Sequence, residues 1–150
     1  MVEVCIALST IRVVLLQTKR IGSVDRIAEH VLEMAERAIQ LHAPDFLCLP
    51  EFFAIPSSFD GGAKEAYTLT HDIAMELLEK ISESMGWGYV VGGSIVERFG
   101  SRFYNTCHIL HRGEVVASYS KRFPIEEELA KGVSPSREPL VLDVGGLKIG

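Results

Sequence analysis

Asp45-Phe46-Leu47-Cys48-Leu49-Pro50-Glu51-Phe52-Phe53 decides how this chain is read. From Asp45 to Leu49 the run shows no polar alternation, the pattern of a strand covered on both faces. Pro50 has no amide hydrogen to extend a central ladder, so the strand is expected to stop there. Glu51 then stands at the C-terminal end of a buried strand, where open α/β sheets place their ligand sites. A carboxylate that close to a core is partly desolvated, which favours its protonated form and suits it to act as a general base. A solvated glutamate that merely ends a strand fits the same position, and position alone leaves both readings open.

Upstream, the β-branched run Ile11 to Leu16 reads as a short buried strand, and Met1 to Leu8 is either a preceding strand or a tail. Ser23 is a suitable N-cap, with Asp25 in the first turn. Val24, Ile27, Ala28, Val31, Leu32, Ala35, Ala38 and Ile39 then recur at helical spacing until His42-Ala43-Pro44 ends the helix. Downstream, Phe52 to Tyr67, with Pro56, Gly61 and Gly62, reads as a loop. A second helix places Ile73, Ala74, Leu77, Leu78, Ile81 and Met85 on one face and closes at Gly86 and Gly88. Tyr89 to Val96 reads as a third core strand and Glu97 to Ser101 as a polar turn. Phe103 to Leu110 reads as a strand that turns through Arg112-Gly113-Glu114 into Val115 to Ser120. After Lys121 come an acidic stretch, Glu126 to Glu128, a proline-containing loop, and a hairpin of Leu140 to Val144 with Leu147 to Gly150. Strands alternating with helices predict an α/β layered fold in one domain.

Composition narrows the classes. The 150 residues are 47% hydrophobic and 23% charged, with a net charge of −5. That is too apolar for a disordered chain, and the acidic balance removes the phosphate attraction of a basic nucleic-acid binder. No long uncharged apolar run suggests a membrane span. Three cysteines, Cys5, Cys48 and Cys107, form no CxxC and cannot all pair. They read as reduced, buried thiols of a cytoplasmic protein. Val13 to Leu16 is apolar, but Glu3, Arg12, Lys19 and Arg20 do not fit a signal peptide.

Lys121 follows a strand, as Glu51 does, and could stabilise an oxyanion or simply be an exposed lysine. His108 and His111 lie three apart on a strand, face opposite sides and cannot share a metal. His30, His42 and His71 read as helix-surface residues. Gly92-Gly93 opens no helix and makes no phosphate cradle; it marks a bend or a close backbone approach. Cys107 and His108 are adjacent on a strand and point apart.

In combination these pieces resemble the nitrilase superfamily of carbon–nitrogen hydrolases. Ile11 to Gln17 is similar to that family's first strand. Pro44-Asp45-Phe46-Leu47-Cys48-Leu49-Pro50-Glu51-Phe52-Phe53 resembles its motif of a hydrophobic run followed by Pro-Glu. Gly92-Gly93-Ser94 with Phe103-Tyr104-Asn105-Thr106 resembles its Gly-x-x-x-Glu and Tyr-Asn-Thr strand pair. Tyr119-Ser120-Lys121-Arg122-Phe123-Pro124 resembles its lysine motif, although Phe123 stands where a non-catalytic His is common. Gly132, Leu140 to Val144 and Leu147 to Gly150 resemble the approach to its nucleophile strand. The likeness runs from Ile11 to Gly150.

The resemblance implies an α-β-β-α sandwich of which residues 1–150 are the N-terminal portion. It implies hydrolysis of an amide, carbamoyl or nitrile C–N bond through a Cys-Glu-Lys mechanism, with no metal or organic cofactor. Glu51 would be the general base and Lys121 the oxyanion stabiliser. A second glutamate would be Glu127 or Glu128, with Glu126 competing at a poorer spacing. The family's nucleophilic cysteine lies a few residues beyond the glycine aligned with Gly150, so the chain alone is expected to be inactive. Expected partners are a small amide or nitrile and further copies of the chain, as a homodimer or larger. A non-catalytic half-domain that binds a small amide or a partner is the alternative. A flavodoxin-like module is disfavoured, because there is no phosphate loop.

Overall fold

The computed structural model describes residues 10–150; the opening segment Met1 to Leu8, and Cys5 with it, lies outside the described residues. The elements are β1 (Val13–Leu15), α1 (Val24–His42), β2 (Phe46–Cys48), α2 (Ala63–Met85), β3 (Tyr89–Val91), β4 (Ile95–Phe99), β5 (Arg102–His111), β6 (Glu114–Ser120), α3 (Glu126–Ala130), β7 (Leu142–Val144) and β8 (Leu147–Ile149). β1, β2 and β3 pair in parallel. β3 and β4 both pair antiparallel with the long β5, and β6 pairs with β5 as the return of a hairpin. β7 and β8 form a separate hairpin.

α1 begins where expected, because Ser23 Oγ accepts from the Arg26 amide. It ends at Ala43, whose φ of 41° is left-handed, just before Pro44. Of its buried stripe, Ile27, Val31, Ala35 and Ala38 pack with Ala74, Leu77, Leu78 and Ile81 of α2 against one sheet face. Leu47, Val90 and Leu110 supply that face. The strand pleat sends the alternate residues the other way. There Phe46, Tyr89 and His111 stack in a row, with ring centroids 5.6 and 4.6 Å apart. On that same side Val13 and Leu15 are 56% and 75% exposed. Among the described residues, α1 and α2 cover one face of the sheet.

Three expectations need correction. The loop after Glu51 ends sooner than Tyr67, because α2 starts at Ala63. Gly62 gives no side-chain cap; the Ala63 amide instead donates to the Lys131 carbonyl at 2.7 Å, a partner far along the chain. The strand Tyr89 to Val96 is two strands, β3 and β4, set end to end along β5. The expected turn at Glu97 is mostly strand. The acidic stretch, for which the sequence predicted no element, forms α3.

The β3–β4 break has a steric cause. Gly93 has φ +54°, and a Cβ there would collide with the Pro50 carbonyl. Beside it, Ser94 Oγ accepts from the Phe52 amide at 3.2 Å, and Phe52 itself is left-handed with φ 52°. The glycine bend thus fixes the segment that carries Glu51. Gly93→Ala is expected to cost roughly 2 kcal/mol or more of stability, the scale of a strained backbone position. Urea unfolding measures it, and an unchanged midpoint would contradict this steric account.

Candidate active site

Glu51 follows β2, and Lys121 follows β6; 70 positions apart in sequence, they meet at 3.0 Å between Lys121 Nζ and Glu51 Oε1. Lys121 Nζ also lies 2.8 Å from Glu128 Oε2, on α3. Asn105, buried on β5, donates from Nδ2 to Glu51 Oε1 and to Glu128 Oε1, at 2.7 Å each. Glu128 Oε2 accepts in addition from the Ile125 amide at 2.8 Å, which closes the start of α3. Of the three competing glutamates, Glu128 meets Lys121. Glu127 pairs with Lys131 at 3.1 Å, and Glu126 is exposed.

Glu51 is not desolvated as its place after a buried strand suggested. Its side chain is 54% exposed, against 10% for Glu128. The strand ends at Cys48, and the turn through Pro50 lifts the carboxylate out of the core. Burial alone would raise the Glu128 pKa, but the Lys121 ammonium, the Ile125 amide and the Asn105 amide outweigh it and leave Glu128 below the usual carboxylate range. Lys121 is raised by its hydrogen bond to Glu128, against some desolvation and with help from Glu51. Its positive charge is therefore held firmly at neutral pH.

The trio borders a cleft of about 360 Å³. Phe52, Ile55, Phe59 and Val133 give it apolar walls, and Arg20 and Lys131 stand among its lining residues. Charged groups and apolar walls thus share one concavity, a make-up that suits a small molecule with both polar and apolar parts. Cys48 and Cys107 do not line it. Both are free and half-buried. Burial raises the Cys48 pKa, and burial with the neighbouring Cys48 pushes Cys107 up to about 11. Neither is a ready thiolate.

A second cluster lies outside the cleft. His71 is not a plain surface residue: Nε2 meets the Glu97 carboxylate at 3.2 Å and Nδ1 meets Asp72 at 2.9 Å. His108 Nε2 lies 3.1 Å from Glu97, and its Nδ1 lies 2.8 Å from Ser118 Oγ. Burial would raise Glu97, but His108 and His71 prevail and lower it. Among the described residues no group of three or more side chains could hold a metal ion, and no helix is long and apolar enough to cross a membrane. The sequence reading missed Asn105 and Glu97 as contacts; the Tyr-Asn-Thr and Gly-x-x-x-Glu motifs that contain them were the available signal.

No family model matches the chain, and no curated protein matches its sequence. Solved structures do match. The amidase from Nesterenkonia sp. AN1 superposes with a TM-score of 0.72 at 26% identity, over 93% of this chain and 55% of that one. A variant of that amidase in complex with butyramide gives 0.71 at 25%, over 92% and 53%. Nit3 of Saccharomyces cerevisiae, a member of branch 10 of the nitrilase superfamily, gives 0.75 at 20%, over 92% and 53%. The chain has the nitrilase-superfamily fold and spans about half the length of these solved chains.

The charge trio gives a pH prediction. A carboxylate with a lowered folded pKa contributes stability above its unfolded pKa, roughly 4.3, and loses it as pH falls through the folded value. Lys121→Met leaves Glu51 and Glu128 sharing Asn105 without a cation. Its stability deficit against the wild type is expected to be largest near neutrality and to shrink below about pH 4. Urea midpoints between pH 3 and 8 check this; a deficit that does not vary with pH would count against the ion pairs.

Proposed function

We propose that this chain is the N-terminal part of a carbon–nitrogen hydrolase acting on a small amide or nitrile. The observation that carries the reading is the Lys121 ammonium bridging Glu51 and Glu128 beside a cleft, in a nitrilase-superfamily fold. Glu51 takes the proton of an attacking thiol. With an amide, the thiolate adds to the carbonyl carbon, and the fixed charge of Lys121 stabilises the oxygen as it becomes negative. Ammonia leaves with a returned proton, and water hydrolyses the thioester. Glu128, rather than Glu127 or Glu126, is the second glutamate, and it orients Lys121. Cys48 and Cys107 have raised pKa values and lie off the cleft, so the thiol comes from residues following Gly150. The reaction needs no cofactor. The reading includes a cytoplasmic location. The apolar sheet face around Val13 and Leu15 supports association into homodimers or larger species.

Ammonia release from a panel of amides and nitriles tests the reading. The 150-residue chain is expected to release none by a thiol route, and a polypeptide extended by a nucleophile strand is expected to turn over. In the extended polypeptide Lys121→Ala is expected to lower kcat by roughly 10²–10³-fold, the usual loss for one oxyanion donor. Glu51→Gln, nearly isosteric, is expected to abolish acylation and keep the fold. Turnover that survives alkylation of every cysteine would overturn the thiol mechanism. A cleft that binds amides but never hydrolyses them would favour a binding half-domain.

A further inference from the structure

Asn105 belongs to the Tyr-Asn-Thr stretch of β5 and has no role in the hydrolytic reading above. It is 3% exposed. Its backbone is fixed on both sides, opposite Val96 of β4 and through its carbonyl, which accepts from the Lys121 amide at 2.8 Å. An amide nitrogen has two hydrogens, and both are used: one meets Glu51 Oε1 and the other Glu128 Oε1, at 2.7 Å each. The reverse orientation would set the amide oxygen against two carboxylates, so the neighbours decide which way the group points.

The consequence lies in which carboxylate oxygens remain open. Glu128 is filled on both: Oε1 by Asn105, Oε2 by Lys121 and the Ile125 amide. Glu51 Oε1 is filled twice, by Asn105 and Lys121. Among the described residues no side-chain or backbone donor meets Glu51 Oε2. We propose that Asn105 is a positioning residue that occupies Oε1 of Glu51 and Oε1 of Glu128, so that Oε2 of Glu51 is the proton-accepting oxygen and Glu128 is withheld from the base role. The choice of base between two adjacent carboxylates is then made by one buried amide. The catalytic meaning of this assignment rests on the hydrolytic reading; the hydrogen-bond arrangement does not.

Two variants test it. Asn105→Leu keeps the volume and removes both donors. Asn105→Ser is smaller, keeps one hydroxyl donor and serves if the leucine variant does not fold. The first readout needs no turnover: carboxyl-carbon NMR titration of the 150-residue chain, with Glu97 as internal reference. The Glu128 midpoint is expected to move up in Asn105→Leu, and less in Asn105→Ser, while Glu97 stays in place. The second readout is amide hydrolysis by the extended polypeptide. There Asn105→Leu is expected to lower kcat by roughly 10–100-fold, part of what a well-placed general base contributes. KM should stay nearly constant, and the acid limb of the pH–rate profile should move to higher pH. A Glu128 midpoint that does not move, or a Glu97 midpoint that moves equally, overturns the proposal, since the second outcome is general loosening. A shifted Glu128 in a polypeptide that hydrolyses no amide sinks the hydrolytic reading and keeps Asn105 as the organiser of the two carboxylates.

Discussion

Two carboxylates can share one corner of this protein because a single ammonium stands between them. Lys121 ties the segment after β2 to α3 through Glu51 and Glu128, and it leaves β6 to do so. Without it the largely buried Glu128 would face a second carboxylate uncompensated, a costly arrangement in a partly desolvated place. The support extends outward from there. α3 is closed at its start by Glu128 and runs into Lys131, whose carbonyl receives the first amide of α2. The long helix that covers the sheet is thus anchored next to the element that carries Glu128.

The other fixed point is steric. Gly93 lets the chain pass against Pro50, and Ser94 takes the Phe52 amide, so the turn bearing Glu51 is held by backbone contacts rather than by its own side chain. This explains how a half-exposed glutamate can be well placed. Its position comes from the strand end and the glycine bend, and its orientation from Asn105 and Lys121. Preorganisation of this kind lets a charged group act without reorganising during a reaction.

The two sheet faces differ in kind. One is filled by α1 and α2 with large, fully buried side chains such as Leu78, Ile81 and Met85. The other carries the Phe46–Tyr89–His111 stack together with exposed Val13 and Leu15. Strands without polar alternation, such as Phe46 to Cys48, are made for cover on both sides. Exposed apolar residues such as Val13 and Leu15 on that face favour association with an apolar surface.

The sequence by itself determined the element types, and it did so where local physics dominates. The helical stripe of α1, its Ser23 cap and its Pro44 stop are all within a few residues of one another, and so are the Pro50 break and the Arg112-Gly113 turn. The motif order also pointed to the nitrilase-superfamily fold and to Glu51 and Lys121 as neighbours. Only the tertiary structure decided the rest. It split Tyr89 to Val96 in two, because the obstacle at Gly93 is a carbonyl more than forty positions earlier. It started α2 at Ala63, because the partner of that amide is Lys131. It set Glu128 against Lys121 and the adjacent Glu127 against Lys131, because consecutive residues of a helix point in different directions. It drew His71, Glu97 and His108 together from three elements. Apart from Glu128, whose partner is near in sequence, the deciding contacts join residues far apart in the chain, and local propensity carries no record of such partners.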